Sequence, residues 1–143
     1  MAEKIFQLEV VTPQKVVFSG QVESFSAPGV VGGFQVLHSH APLLSSIRIG
    51  EVKLRTPEGQ ESRYATTGGV VEVRENKVIL LAETAERSDE IDVERAAAAR
   101  QRAERRIKEH QAEVDIDRAR IALLRALNRL RVASVHETAQ QGR

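Results

Sequence analysis

All four prolines of this chain, Pro13, Pro28, Pro42 and Pro57, fall in its first 57 residues, and eight of its nine glycines lie at or before Gly69, whereas residues 89–141 contain neither. Glycine and proline punctuate short strands and are costly inside helices, so one architecture cannot serve both stretches. The step predicts a β domain over residues 1–86, a helical hairpin over 87–137 and a polar tail over 138–143, with the boundary near Ala85 to Asp89. A length of 143 residues suits one ordinary domain or two small ones.

In the first stretch, Phe6, Leu8 and Val10 alternate with Gln7, Glu9 and Val11, a period of two that gives a strand with one wholly apolar face. Similar short runs follow near Lys15 to Ser19, Val22 to Ala27, Gly33 to Leu37, Leu43 to Ile47, Gly50 to Arg55, Gln60 to Ala65, Gly69 to Arg74 and Lys77 to Glu83. Thr56-Pro57-Glu58-Gly59 and Glu75-Asn76 are the clearest turns. The connections are too short for parallel crossovers, so the expected form is an antiparallel β-sandwich or flattened barrel.

From Ser88 the sequence supplies several Ser and Asp cap candidates and early acids, which suit the start of a helix running to about Glu109. A second helix is expected from Asp115 or Asp117 to about Val135, with a turn near Gln111 to Asp115, so the two form an antiparallel hairpin. Its apolar stripe is thin and rich in alanine: Ala96, Ala99 and Ala103, then Ala119, Ala122, Ala126 and Ala133. Such a stripe allows close approach but buries little area, so the hairpin is marginal alone and suited to movement.

Arg95, Arg102 and Arg106 on the first helix, and Arg118, Arg125 and Arg129 on the second, share the spacing i, i+7, i+11. At about 100° per residue these offsets return to within about 20° of the start, so each set forms one stripe. Guanidinium groups in a row repel unless an anion or an acidic surface faces them, and they suit phosphate and carboxylate. Arg100, Arg105, Lys108, Arg120 and Arg131, interspersed with Glu94, Glu104, Glu109 and Glu113, equally fit solvated faces.

Other chemistry finds little support. The net charge is +1, which argues against binding nucleic acid or membrane through overall charge. The absence of cysteine excludes disulfides, thiolate zinc sites and cysteine nucleophiles. His38 and His40 lie near an expected strand end without a third metal ligand close in sequence, and His110 and His136 fall at expected helix ends. Gly29-Val30-Val31-Gly32-Gly33 lacks the Lys-Ser/Thr ending of a phosphate loop. The aromatics Phe6, Phe18, Phe25, Phe34 and Tyr64 all precede the hairpin, so its basic helices offer no base stacking. No apolar run approaches the roughly 20 residues of a membrane span, and Met1-Ala2-Glu3-Lys4-Ile5 leads directly into the alternating pattern without a signal segment.

Taken together in order and spacing, several motifs resemble the ε subunit of bacterial F-type ATP synthase. They are Phe6-Gln7-Leu8-Glu9-Val10-Val11-Thr12-Pro13, His40-Ala41-Pro42-Leu43-Leu44, Gly50-Glu51-Val52, Gly68-Gly69-Val70-Val71-Glu72-Val73, Ile91-Asp92-Val93-Glu94-Arg95-Ala96 and Arg125-Ala126-Leu127-Asn128-Arg129-Leu130. The resemblance implies a non-catalytic rotor subunit on the cytoplasmic face of the plasma membrane, whose sandwich holds the γ subunit and rests on the ring of c subunits. It implies a hairpin that either folds against the sandwich or extends toward the α and β subunits and hinders ATP hydrolysis.

Ile91, Asp92, Arg95 and Ala96 match the motif of members that bind ATP, with Arg102, Arg106, Arg118, Arg125 and Arg129 toward the phosphates and Glu86 as a further candidate. Asp92 equally serves as a plain helix cap. The resemblance requires no cofactor, leaves any role of Mg²⁺ open and gives ATP a regulatory part. Val31, Phe34, His38 and His40 are the expected contacts with the c ring, and exposed apolar residues of the sandwich face γ. The competing readings are a nucleic-acid-binding module built on the basic hairpin and, more remotely, an independent hydrolase.

Overall fold

The computed structural model describes residues 4–109 and 113–141. The chain divides into two units, residues 1–87 and 88–143. The first holds ten strands: β1 (Phe6–Val11), β2 (Val16–Val22), β3 (Ser24–Gly29), β4 (Gly32–Val36), β5 (Leu43–Ile47), β6 (Gly50–Arg55), β7 (Glu61–Thr66), β8 (Gly69–Arg74), β9 (Lys77–Ala82) and β10 (Ala85–Arg87). Burial follows the pleat: Phe6, Leu8 and Val10 of β1, and Val78, Leu80 and Ala82 of β9, point inward while their neighbours face out.

The strands follow the order β10-β7-β6-β3-β5-β8-β9-β1-β2, with β4 paired to β3. At β3 the sheet changes layer: Ser24 to Ser26 pair with β6, whereas Gly29 pairs with Ile47 of β5. Phe25, Val52, Leu54 and Tyr64 on one side of this bend share a single core with Leu8, Val10, Val71, Val73, Val78 and Leu80 on the other. That shared core makes the unit a nearly closed sandwich, as the sequence predicts. One ladder departs from the antiparallel expectation, for β1 lies parallel to β9 with Leu8 opposite Val78 and Val10 opposite Leu80. These strands are far apart in sequence, so the pair needs no crossover helix.

Both expected turns are present. Thr56 and Gln60 close the first through the Thr56 amide to the Gln60 carbonyl at 2.8 Å, with Gly59 at φ +87°. Glu75 and Asn76 form the second, both left-handed at φ 50° and 60°, the geometry that suits a two-residue hairpin between the paired Arg74 and Lys77.

The second unit opens with a 3-10 turn (Ser88–Glu90), followed by α1 (Val93–Lys108) and α2 (Glu113–Gln141). Helix α1 begins later than Ser88 because Asp92, not an earlier residue, is the cap. Helix α2 starts before Asp115 and continues past Val135 to Gln141, so the expected polar tail from residue 138 is largely helical. The run without glycine or proline extends to the same point, and nothing in it forces an earlier stop. His136 falls inside α2, while His110 lies outside the described residues.

The β7–β8 connection permits a test of the core. Gly69 has φ +154°, and a Cβ there would lie 2.2 Å from the Leu81 carbonyl oxygen. Gly69→Ala is expected to cost about 3 kcal/mol of sandwich stability. Gly32→Ala, where a Cβ meets nothing within 4 Å despite φ +142°, is expected to cost about 1 kcal/mol. Urea unfolding followed by Tyr64, the chain's one tyrosine and a core residue, reads this unit alone.

Candidate functional site

Helix α1 is anchored by its cap. Asp92 has extended backbone (φ −79°, ψ 98°), and its Oδ1 accepts the Arg95 amide at 3.0 Å while its carbonyl accepts the Ala96 amide at 3.0 Å. A carboxylate here satisfies a donor that the helix cannot and faces the positive end of the helix dipole. Of the two roles open to Asp92, capping is the one that this geometry displays.

The connection from Lys108 to Glu113 is short, so α1 and α2 pack side by side in opposite directions. Among the described residues, the buried side chains of the two helices are Ala96 and Ala103 of α1 and Ala119, Ala126, Asn128, Val132 and Ala133 of α2, so alanines make up most of the seam. Most of these alanines follow an arginine directly: Arg95-Ala96, Arg102-Ala103, Arg118-Ala119 and Arg125-Ala126. One residue back is about 100° of rotation, so each arginine stands beside the seam. The two helices run in opposite directions and face each other through the alanines, so the same sequence offset leads to the same side of the hairpin. Both arginine stripes therefore occupy one face.

Arg95, Arg102, Arg106, Arg118 and Arg125 are exposed, and Arg129 is half-buried. Among the described residues, no carboxylate lies within 4.0 Å of Arg95, Arg102, Arg106, Arg118 or Arg125. Two ion pairs of the hairpin lie elsewhere, at Arg100 to Glu104 (2.9 Å) and Arg120 to Asp117 (3.7 Å). Arg131 donates to the Asn128 side chain at 3.1 Å. Such a row of exposed guanidinium groups is a ready acceptor for a polyanion, because each offers planar paired donors that its own helix leaves unused.

The remaining candidates separate from this row. Ile91 and Ala96 are buried, so they shape the unit from within. Glu86, expected just before the first helix, instead sits on β10 opposite Ala65 of β7, within the sandwich unit. That strand went unpredicted because three residues, Ala85-Glu86-Arg87, carry no period.

The candidate contact residues of the sandwich also part company. Val31, 97% exposed, forms the tip of the β3–β4 turn, while His38 and His40 follow the other end of β4. The five residues of β4 place them about 16 Å or more apart, so they are two surfaces rather than one turn. Phe34, midway along β4, packs partly buried against the core. Among the described residues, no group of three or more His, Asp or Glu converges as metal ligands.

This organisation matches known proteins in both units. Residues 5–88 match the family model for the β-sandwich domain of the ATP synthase delta/epsilon chain, and residues 89–134 match that for its long α-helix domain. The chain belongs to the ATP synthase delta/epsilon family. It is similar to the ATP synthase epsilon chain of Pelotomaculum thermopropionicum, with 50% identity over 75% of this chain and 79% of the relative. The epsilon chain of Desulforamulus reducens is 44% identical over 91% of this chain and 98% of its own length. A cryo-EM structure of Euglena gracilis mitochondrial ATP synthase contains a chain of the same fold, with TM-score 0.74, 21% identity and coverage of 82% of this chain and 74% of that one.

The chain is thus a bacterial epsilon subunit of F-type ATP synthase, and its arginine row belongs to the epsilon subunit's helical domain. The row depends on the cap at its base, since Asp92 fixes where α1 begins and hence where Arg95 points. Asp92→Ala is expected to destabilise α1 by about 1 kcal/mol, and Asp92→Asn, which keeps the acceptor, by a few tenths. Hydrogen exchange at the Arg95 amide, whose protection comes from this bond, distinguishes the two variants.

Proposed function

We propose that this epsilon subunit works as a non-catalytic part of the central stalk, coupling catalysis to proton translocation and restraining ATP hydrolysis through its helical hairpin. The observation that carries the regulatory part is the single face on which Arg95, Arg102, Arg106, Arg118 and Arg125 stand without carboxylate partners among the described residues. In this reading ATP is the polyanion of the folded hairpin: its phosphates meet the arginines, with Arg129 at the end of the α2 stripe. Asp92 is suited to accept from the adenine amino group, and Ile91 and Ala96 shape the motif around it. When ATP is scarce, the hairpin extends toward the α and β subunits and the same arginines face acidic segments of the β subunits.

ATP is a regulatory ligand here and no cofactor is required. A row of arginines binds phosphate but supplies neither a metal-carboxylate site nor a base to activate water, so the subunit alone does not turn ATP over. The absence of aromatic residues from the hairpin weighs against nucleic acid as the polyanion.

The sandwich unit attaches the subunit to the rotor. Its outer surface carries apolar side chains at Leu44, Val70 and Leu81, which suit the γ subunit, while the Val31 tip and the His38–His40 loop are separate contacts with the rotor at opposite ends of β4. Among the described residues no helix is long and apolar enough to cross a membrane. As a part of the rotor the subunit is peripheral, held at the cytoplasmic face of the bacterial plasma membrane by the complex.

Calorimetric titration of the full chain tests the ligand. Saturable, ATP-selective binding is expected, weakened about tenfold or more by Arg118→Ala or Arg125→Ala. No heat at millimolar ATP, or unchanged affinity in both variants, overturns the ATP reading. Preferred binding of an oligonucleotide with a steep salt dependence assigns the row to nucleic acid instead. In the assembled synthase, removal of residues 88–143 is expected to raise ATP hydrolysis most at low ATP and to abolish the inhibition that ATP relieves, as read by a coupled assay of truncated against full-length enzyme at each ATP concentration.

A further inference from the structure

Asn76 occupies the second position of the β8–β9 turn, and its left-handed backbone (φ 60°) aims one amide side chain at two other parts of the sandwich unit. Its Nδ2 donates to the Ile5 carbonyl at 2.9 Å, and its Oδ1 accepts the Ser39 amide at 2.7 Å. Its own carbonyl accepts the Gln7 amide at 3.3 Å. One residue thus ties together the entry to β1, the β8–β9 turn and the loop that carries His38 and His40.

That loop, residues 37–42, has little else to hold it. Outside the strand ladders and among the described residues, the Ser39–Asn76 bond is its sole hydrogen bond to another part of the unit, since His40 Nδ1 meets only the neighbouring Ala41 carbonyl at 2.6 Å. Ser39 is itself left-handed at φ 57°, a conformation that a non-glycine residue keeps only when something fixes it. The loop presents Leu37, 50% exposed, and His38 beside β5, where Leu44 is 72% exposed. An apolar and imidazole surface of this kind binds a partner well only if its shape exists beforehand, because ordering a loop on binding subtracts from affinity.

We propose that Asn76 is a positioning residue for the rotor contact: through the Ser39 amide it holds the Leu37–Pro42 loop in the shape that the γ and c-ring subcomplex meets at His38 and His40. This rests on the rotor reading of that loop given above. Asn76 touches no partner itself. Its two side-chain bonds are separable, because Asp keeps the acceptor for Ser39 and loses the donor to Ile5, whereas Gly loses both and still accepts the left-handed turn.

The experiment uses the full chain and its Asn76→Gly, Asn76→Asp, His38→Ala and His40→Ala variants, with Ser39 amide exchange read by NMR and affinity measured for the purified subcomplex of γ and c ring. In Asn76→Gly the Ser39 amide is expected to exchange about tenfold faster or more, with the other sandwich amides unchanged. Rotor affinity is expected to fall about tenfold, as is also expected of His38→Ala or His40→Ala. Asn76→Asp is expected to restore both readouts toward the parent values. Unchanged Ser39 exchange in Asn76→Gly overturns the clamp. Faster exchange with rotor affinity unchanged in Asn76→Gly while a histidine variant weakens binding overturns the positioning role alone. Unchanged affinity in both histidine variants overturns the rotor reading of the loop, and the proposal with it.

Discussion

Apart from glycine, alanine is the residue on which two helices approach most closely, and it contributes the least when buried. With a burial value of about 0.8 kcal/mol per methylene group, each alanine in place of leucine forgoes about 2 kcal/mol of hydrophobic stabilisation. The seam of α1 and α2 uses Ala96, Ala103, Ala119, Ala126 and Ala133, so the hairpin holds together by fit more than by area. Everything else about the second unit follows from that choice. The arginines stand one residue before the seam, and a close seam brings their two rows together on one face. In the proposed function, the same thinness is what allows a ligand worth a few kcal/mol to decide the state of the unit.

The sandwich is built on the opposite principle. Its core draws Phe25, Leu8, Leu54, Leu80 and a set of valines from both sides of the β3 bend, all essentially inaccessible to water. On the β6–β7 surface, Lys53 pairs with Glu61 at 3.2 Å and Arg63 with Glu51 at 2.5 Å, charges spent on their own neighbours. Half-buried surface pairs of this kind stabilise by about 1 kcal/mol, but they leave a surface that offers a partner little. The contrast with Leu44, Val70 and Leu81 divides the outside of the sandwich into a finished face and an apolar one. A firm carrier with one apolar face and a marginal hairpin are different answers to different tasks within one chain.

Much of this was legible in the sequence because the signals were local. Alternation in Phe6 to Val11, turn chemistry at Thr56 to Gly59 and Glu75-Asn76, and the absence of glycine and proline from residues 70–141 are each read directly along the chain. What escaped was set at a distance or by count. The parallel pairing of β1 with β9 joins the two ends of the unit, and no local pattern announces it. Strand β10 is too short to show a period and exists by pairing with β7. Val31 and His38 looked like neighbours because they are close in sequence, but an intervening strand is a rigid spacer. The common face of the arginines was available in the repeated Arg-Ala dipeptide, which needs the hairpin's direction before it can be read. Asn76 was legible as a turn residue, but not as a tether, since its partners Ile5 and Ser39 are chosen by the fold.

The arginine row makes the electrostatics of the hairpin depend on its occupant. Like charges within one face repel, and folding the two helices together brings two such rows into the same neighbourhood, so without an anion the folded hairpin bears a penalty that the separated helices avoid. A bound polyphosphate reverses the sign, because each guanidinium then gains a charge-assisted bond. Ligand at 100 times its Kd contributes about 2.7 kcal/mol to the state that binds it, close to what one alanine-for-leucine exchange withholds from the seam. The two magnitudes have to be comparable for a sensor to work. If ATP is the occupant, as proposed, a leucine seam would keep the hairpin folded whatever the ATP level, and a hairpin without the arginine row would have nothing through which ATP could act.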